Sequence, residues 1–417
     1  MSELLSVSEA LQQLLGEFQP VDAYQTPLVS AAGRVLAEEI NAIIDLPPFT
    51  NSSMDGFAVY TEDVIDANPQ KPIILEVIED IPAGQVAHER TRRGQAARIM
   101  TGALLPSDAD AVVPVENTDF NYRQSGIPAP SRVKVFHSVK KGENIRWQGQ
   151  DILAGTPILT PGVRLRPQDI GLLAMMGIEQ VNIFRKPRIA ILSTGDELIP
   201  VNEPLQPGKI HDANADMLSA LVTLYGTERI NLGIASDHFS SIKSCLDRAV
   251  AERVDLILSS AGVSVGAFDY VRSVVEKYGQ INFWRVNVRP GKPLAYGRYQ
   301  NIPLIGLPGN PVSAFISFEV FVRPVILKLS GISNWTRHSR KVQLLESIES
   351  DGRESYLRAI VINQDGHLQA RLTGHQGSGN LLSIVQANAL LIIPSEVKSL
   401  PIGTEVDAWI YNDMGNY

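Results

Sequence analysis

The spacing of apolar residues changes period along this chain, and each change marks an expected element. Residues 5 to 16 carry Leu5, Ala10, Leu11, Leu14 and Leu15 at helical spacing, with Ser6 or Ser8 placed to cap the helix. A second short helix is expected over Leu28 to Ile40, and Asp45-Leu46-Pro47-Pro48-Phe49 then ends the unit. The pattern shortens after that. Ile73 to Val77, Gln95 to Met100, Ala111 to Val115 and Arg132 to Phe136 are β runs parted by Gly and Pro. They predict a small β-rich module inserted between the halves of something else. Beyond Gly142 a β-like stretch starts at Pro157, and a helix is expected over Arg166 to Met176.

Lys186-Pro187 is a boundary, because proline restricts the residue before it. Strand and helix then alternate: a buried strand over Arg188 to Ser193, and a helix over Ala215 to Tyr225 capped by Asp212-Ala213-Asn214. A strand over Arg229 to Ala235, a helix over Ser240 to Glu252 and an apolar run Leu256-Ile257-Leu258 follow. Next come a helix over Tyr270 to Tyr278, a strand over Ile281 to Val288, and a strand over Pro303 to Leu307 that opens another helix. Such alternation predicts a doubly wound parallel sheet with right-handed crossovers. Past Gly331, the runs Lys341 to Leu345, Tyr356 to Ile362, Leu368 to Leu372, Ala389 to Ile393 and Glu405 to Ile410 predict a compact β barrel or sandwich. The fold class is therefore α/β plus β in several domains. A discontinuous base takes residues 1–46 and 140–184, and the β-rich module takes 47–139. An α/β domain takes 185–330 and the β barrel 331–417.

Composition narrows the function classes. With 417 residues the chain exceeds what one core usually supports. Its 37 basic and 45 acidic residues give a net charge of −8, so a polyanion-binding surface is not expected, although a local basic pocket is compatible with it. Cys245 is the single cysteine, which rules out an intramolecular disulfide or a cysteine-built zinc site. No signal peptide and no membrane-length apolar run is visible, and a cytoplasmic protein is expected.

The chemistry is concentrated at strand ends. Thr194-Gly195-Asp196-Glu197, Ser236-Asp237, Gly262-Val263-Ser264-Val265-Gly266, Arg289-Pro290-Gly291-Lys292 and Pro308-Gly309-Asn310-Pro311 each follow an apolar run. In a parallel sheet such loops gather at one edge, where ligands bind. Glycine amides and a helix start suit an anion, and Arg289 and Lys292 suit phosphate or another oxyanion. Asp269, Glu197 and Asp237 suit Mg²⁺, unless they cap helices or pair with lysines. A competing reading takes the G-x-S-x-G spacing around Ser264 as a nucleophile elbow, with His338, His367 or His375 as base. All three histidines lie in the C-terminal module. Asp55, between Met54 and Gly56, is either a turn residue or a functional carboxylate, and Arg98-Ile99-Met100-Thr101-Gly102-Ala103 sets a hydroxyl at a strand end. There is no G-x-x-x-x-G-K-S/T and no G-x-G-x-x-G.

Asn51-Ser52-Ser53-Met54-Asp55-Gly56, the Arg98 to Ala103 run and Ser193 to Leu198, with Ser260 to Gly266, Pro290 to Pro293 and Gly306 to Ser313, resemble in this order the MoeA family. These are bacterial molybdopterin molybdenumtransferases, related to the E domain of gephyrin. The resemblance runs essentially end to end. It implies an enzyme that takes adenylylated molybdopterin and molybdate and, with Mg²⁺, releases molybdenum cofactor and AMP. It implies a MogA-like α/β domain, a lid module and a homodimer in which Asp55 and Thr101 enter the partner's pocket. Asp269, Lys292, Asp55 and Thr101 are implied to be catalytic, with Asp269, Glu197 and Asp237 at the metal. Lys292, Ser313, Arg358 and Ser378 are implied to hold molybdate. Thr194, Gly195, Asp196, Arg289 and the loops of Gly262, Ser264, Gly266, Pro308, Gly309, Asn310 and Pro311 are implied to hold the organic substrate. Arg289 stands where many relatives have lysine, and Phe268 where they are usually polar or small. The fused adenylyltransferase domain of the eukaryotic proteins has no counterpart here. A separate molybdopterin adenylyltransferase and molybdoenzyme chaperones are thus the implied partners, with no nucleic acid and no membrane. A non-catalytic ligand-binding paralogue is the alternative within the family.

Overall fold

The structure is a computed structural model and describes residues 4–120, 127–260 and 270–411. It divides into two compact units, one of residues 1–38, 161–174 and 178–417, the other of residues 39–160 and 175–177.

The first unit is built on a seven-stranded sheet. Its order is Leu4–Leu5, Gly279–Val286, Pro293–Tyr299, Ile302–Leu307, Leu256–Ser260, Arg188–Thr194 and Glu228–Ala235. The last four strands pair in parallel. Their side chains alternate between two cores: Ile189, Ile191, Leu256, Leu258 and Ile305 face one, while Ala190, Leu192, Ile257 and Leu304 face the other. Helices Val7–Gly16, Ala213–Leu224 and Pro311–Ser317 cover the first face, and Phe239–Ala251 and Tyr270–Tyr278 the second. Burial on both sides is why these strands read as continuous apolar runs. Pro293–Tyr299 runs antiparallel to both of its neighbours and was not visible in the pattern. Gln300 and Asn301, at φ 45 and 72, turn it tightly into Ile302–Leu307, and Gln-Asn is a weak hairpin signal beside Asn-Gly.

Ser6 caps the first helix in a capping box with Glu9. The expected helix over Leu28 to Ile40 is not formed. One 3₁₀ turn covers Leu28–Ser30, and the chain then extends, with Val35 bridging Arg164 and Leu36 bridging Ile183. Leu28, Ala31 and Val35 mimic helical spacing, but Gly33 lies at φ +75 and its N–H bonds Leu165 O at 2.7 Å, which ends any helix there.

The C-terminal part of this unit is a closed five-strand barrel. Glu354–Gln364 pairs with His367–Leu372 and Ala389–Ile393, and Arg340–Leu344 and Glu405–Ile410 close the ring. A short strand, Val288–Arg289, leaves the large sheet and pairs with Glu354 and Ser355. In the second unit a five-stranded sheet is ordered Ala111–Pro114, Gly56–Val59, Gln95–Ile99, Ile73–Ile81 and Arg132–Val135. Its two faces bury Phe57 and Val59 on one side and Ala58 and Ile99 on the other. Among the described residues no helix is long and apolar enough to cross a membrane.

Two glycines give opposite predictions. A Cβ on Gly56 would stand 2.1 Å from Val113 O in the neighbouring strand, whereas one on the exposed Gly171, inside helix Pro167–Met175, meets nothing within 4 Å. Gly56→Ala is expected to destabilise by about 3 kcal/mol, and Gly171→Ala to stabilise by about 0.5–1 kcal/mol. Calorimetric melting of the two variants checks both signs.

Candidate functional site

Parallel register fixes where the site lies. Ser193 stands opposite Ser260, Ser260 opposite Leu307, and Thr194 opposite Ala235. The loops after four strands therefore leave from one edge of the sheet. The buried Ser193 and Ser260 hydroxyls meet there at 3.0 Å. Among the described residues a larger and a smaller recess lie along this edge, and their charges differ.

The larger is a cleft of ≈ 670 Å³ lined by Gly195, Asp196, Asp212, Asp216 and Ser236 beside Leu198, Ile199, Pro200, Val201 and Ile234. The Asp237 N–H donates to Asp196 Oδ1 at 3.0 Å. Burial, and then the Asp196 and Glu197 carboxylates, push the Asp237 carboxyl above its usual range. Asp237 does not cap the helix that follows it, since His238 holds that position and makes no side-chain cap bond. Asp212 does cap its helix, accepting from Ala215 N at 3.0 Å, while its Oδ2 is buried without a hydrogen-bond partner among the described residues. Among the described residues no three His, Cys, Asp or Glu side chains are grouped closely enough to hold a metal on their own.

The smaller recess, ≈ 350 Å³, is basic. Arg289, Lys292, Arg353 and Arg358 line it together with Ser313 and Ser378. Five of these six were singled out by sequence, from segments up to 89 residues apart (Arg289 to Ser378). Arg358 is 1% exposed, donates to Ser383 Oγ at 3.0 Å and to Gly377 O at 3.1 Å, and has no carboxylate partner among the described residues. Burial and the neighbouring Arg289 push its pKa down to about 10. A buried guanidinium bonded only to neutral groups is a standing demand for an anion. Lys292 likewise has no carboxylate partner within 4.0 Å among the described residues. Asp351 is the acid nearby: it holds Arg353 Nε at 3.0 Å and reaches Arg289 at 4.0 Å. Hydrogen bonding from Arg353 keeps its carboxyl below the usual range.

The Pro308 to Pro311 loop connects these parts. Asn214 Nδ2 donates to Gly309 O at 2.7 Å, Asn310 Nδ2 donates to Ser378 Oγ at 3.2 Å, and Val312 N donates to Ser378 O at 3.2 Å. Pro311 occupies the first turn of helix Pro311–Ser317, where its missing N–H is harmless, and Ser313 follows in that same turn. In the second unit Asp55 and Thr101 are brought together: Asp55 Oδ1 accepts from Thr101 N at 2.8 Å and from Thr101 Oγ1 at 2.7 Å. Asp55 thus reaches a loop 46 residues away. Gly262, Ser264, Gly266 and Asp269 lie outside the described residues.

Arg353, Asp351, Gln376 and Asn214 were not anticipated as site residues. Gln376 clamps the Arg358 backbone from both sides, accepting its N–H at 2.9 Å and donating to its C=O at 3.1 Å. Arg353 sits in an Asp-Gly-Arg turn that by sequence is only a turn. The pairing of Glu354 with Val288 brings it to the pocket, and no local pattern announces that pairing.

Replacing Arg358 by methionine should separate stability from binding. Tm is expected to stay within about 3 °C, because an unpaired buried charge adds little to stability. Affinity for a tetrahedral oxyanion should fall at least about tenfold, the loss of one charged hydrogen bond. Thermal melts beside molybdate titration calorimetry measure both.

Residues 5–177 match the MoeA N-terminal region (domain I and II), residues 190–328 a probable molybdopterin binding domain, and residues 341–411 the MoeA C-terminal region (domain IV). A molybdopterin molybdenumtransferase of Nostoc sp. is 39% identical over 91% of this chain and 86% of its own length. One from Haemophilus influenzae is 34% identical over 99% of this chain and 100% of its own. The crystal structure of a molybdopterin biosynthesis MoeA protein from Pyrococcus horikoshii superimposes with a TM-score of 0.81 at 32% identity, covering 98% of this chain and 100% of that one. On this similarity across nearly its whole length, the chain belongs to the MoeA family of molybdopterin molybdenumtransferases, enzymes of molybdenum cofactor biosynthesis.

Proposed function

We propose that this chain inserts molybdate into adenylylated molybdopterin, with Mg²⁺-dependent release of AMP. The observation that carries the reading is the basic pocket, where Arg358 is buried beside Lys292, Ser313 and Ser378 with no carboxylate partner among the described residues. Cations and hydroxyls around so small a volume suit a tetrahedral oxyanion. The Gly309 loop, bonded to Asn214 on one side and to Ser378 through Asn310 on the other, is where the phosphorylated part of the organic substrate would lie. Substrate and oxyanion would then meet with little motion.

Mg²⁺ fits the acidic side of the edge. It commonly takes only one or two protein carboxylates and completes its shell with water and substrate phosphates. Glu197 and Asp237 supply hard oxygen donors of that kind, and the burial of Asp237 against two other acids is relieved by a cation. Asp269 is the third carboxylate in this reading. The bound ion would neutralise phosphate charge as the adenylate leaves. Lys292 and Arg289 would hold the developing negative charge from the opposite side. We further propose that Asp55 and Thr101 act in the pocket of a second copy in a homodimer. Cytoplasmic location, supply of the substrate by a separate adenylyltransferase and delivery to molybdoenzyme chaperones complete the reading.

Purified protein given adenylylated molybdopterin, molybdate and Mg²⁺ is expected to release AMP only when molybdate is present. Lys292→Ala and Asp269→Ala should each lower that release by about 10²-fold or more, the scale of losing one preorganised electrostatic contact. A well-folded wild type that releases no AMP, or releases it equally without molybdate, would sink the insertion reading.

A further inference from the structure

A second basic recess lies at the opposite end of the sheet from the loops described above. Lys186-Pro187 leads into the amino end of strand Arg188–Thr194, whereas the functional edge lies past its carboxyl end. At the usual strand rise, the seven residues of that strand set the two about 20 Å apart. The recess measures ≈ 170 Å³ and belongs wholly to the first unit. Arg34, Arg164, Arg185 and Lys186 line it, with Tyr225 as one wall. No carboxylate lines it among the described residues.

These cations come from three segments up to 152 residues apart (Arg34 to Lys186). Backbone pairing holds the segments side by side: Val35 bridges Arg164, and Phe184 N donates to Val35 O at 2.9 Å. Structural roles account for only part of the charge. Arg185 is answered, since Asp255 accepts from both of its terminal nitrogens at 2.7 and 2.6 Å, and Asp22 lies 3.7 Å from its Nε. Two helices end beside the recess, at Tyr225 and Ser330, and cations are favourable at such ends. The arginines bond elsewhere. Arg34 donates to Tyr24 Oη at 2.9 Å and to Phe184 O at 3.0 Å, and Arg164 donates to Gly33 O at 3.0 Å. Those acceptors are neutral, and none belongs to either helix. Three of the five N–H groups of the Arg34 guanidinium stand outside its two bonds. Lys186 is exposed and makes no side-chain hydrogen bond among the described residues. Like charges gathered in a partly buried recess repel, and a bound anion relieves that repulsion.

We propose that this recess binds a free tetrahedral dianion of the size of phosphate or sulfate, held by Arg34, Arg164 and Lys186. The volume sets the size of the ligand. At about 30 Å³ per water-sized group the recess has room for roughly five such groups, the heavy atoms of a phosphate, and none for a nucleoside. The charge sets its valence, because three cations with no acid in the lining favour two negative charges over one.

Titration calorimetry of inorganic phosphate into the full-length Arg358→Met chain tests the site, because that variant weakens the other basic pocket. One equivalent is expected to bind and to raise the Tm. Adding Arg34→Gln should weaken this binding at least about tenfold, the loss of a charged hydrogen bond. Adding Lys186→Gln instead should weaken it about threefold, the scale of an exposed charge contact. Lys186 has no bond to lose, so its variant tests the site even where Arg34→Gln unfolds the chain. Acetate, with one charge and two oxygens, should bind at least about tenfold more weakly than phosphate. No saturable phosphate binding in Arg358→Met would overturn the site, as would unchanged affinity in both added variants. Loss of the binding on adding Lys292→Ala would also overturn it, by seating the anion in the other pocket. Acetate bound as tightly as phosphate would overturn the choice of a tetrahedral dianion. None of these outcomes depends on which ligand the Arg358 pocket takes.

Discussion

Everything at the functional edge depends on parallel pairing of the strands that end at Thr194, Ala235, Ser260 and Leu307. Parallel strands need long crossovers, so their carboxyl ends can belong to loops far apart in sequence and still leave the sheet side by side. The register does this here: Ser260 stands between Ser193 and Leu307, and Thr194 stands beside Ala235. A slip of one residue in any of these pairs would turn Ile189, Ile191, Leu256 and Leu258 away from the helices that cover them. The apolar pattern that holds the two cores together thus also fixes which loops form the site.

Charge is sorted along that edge, and the sorting has a chemical consequence. Acids dominate one recess, with Asp196, Asp212 and Asp216 in its lining and Asp237 raised by burial next to it. Arginine and lysine dominate the other, in a chain whose overall charge is −8. A ligand bearing both a cation-coordinated phosphate and an oxyanion partner has one orientation that satisfies both fields, and the reverse costs Coulomb energy at each end. Between them lies the Gly309 loop, held by Asn214 and through Asn310 by Ser378. The loop is thus tied by hydrogen bonds both to the helix that borders the acidic recess and to Ser378 of the basic one.

Much of this was legible in the sequence, and the failures have identifiable causes. Runs such as Leu256-Ile257-Leu258 and Arg188 to Ser193 read as strands because both faces are buried, and the loops behind them stood out through Gly, Pro and charge. The barrel strands were equally clear as short apolar runs, and Tyr356 to Ile362 and Ala389 to Ile393 are buried along most of their length. Leu28 to Ile40 misled because periodicity does not register a glycine at positive φ. Pro293–Tyr299 was missed because a proline and a Gln-Asn turn disguised a hairpin. Arg358 and Ser378 were placed only through the family resemblance. Arg353 carries no local signal, since its meaning comes from a pairing more than sixty residues long (Arg353 to Val288), whereas Gln376 stands out only as a member of the glycine-rich loop Gly374 to Asn380, and its clamp on Arg358 is a contact across that loop.

Because the basic pocket takes residues from both the sheet and the barrel, its geometry is only as good as the joint between them. That joint contains a buried acid. Glu319, 3% exposed, bonds Arg337 at 2.6 Å and Tyr225 Oη at 3.0 Å within a π-helical turn, Phe318–Val322, that continues the helix opened by Ser313's turn. Burial pushes its carboxyl up, and Arg337 and Arg323 pull it back. Tyr411, the last described residue of the barrel side, packs edge-on against Phe315 with its hydroxyl buried. Hydrophobic residues of similar volume would hold such a joint at least as strongly, so net stability does not explain a paired charge there. Directionality does: an ion pair with a shared tyrosine hydroxyl fixes angle and register where apolar packing tolerates sliding. Ser313 lies six residues before Glu319 on the same helical stretch, and Arg358 lies on the barrel strand Glu354–Gln364. A joint fixed in angle holds Ser313 and Arg358 at constant separation, which is what the proposed oxyanion would need from a site assembled out of two folds.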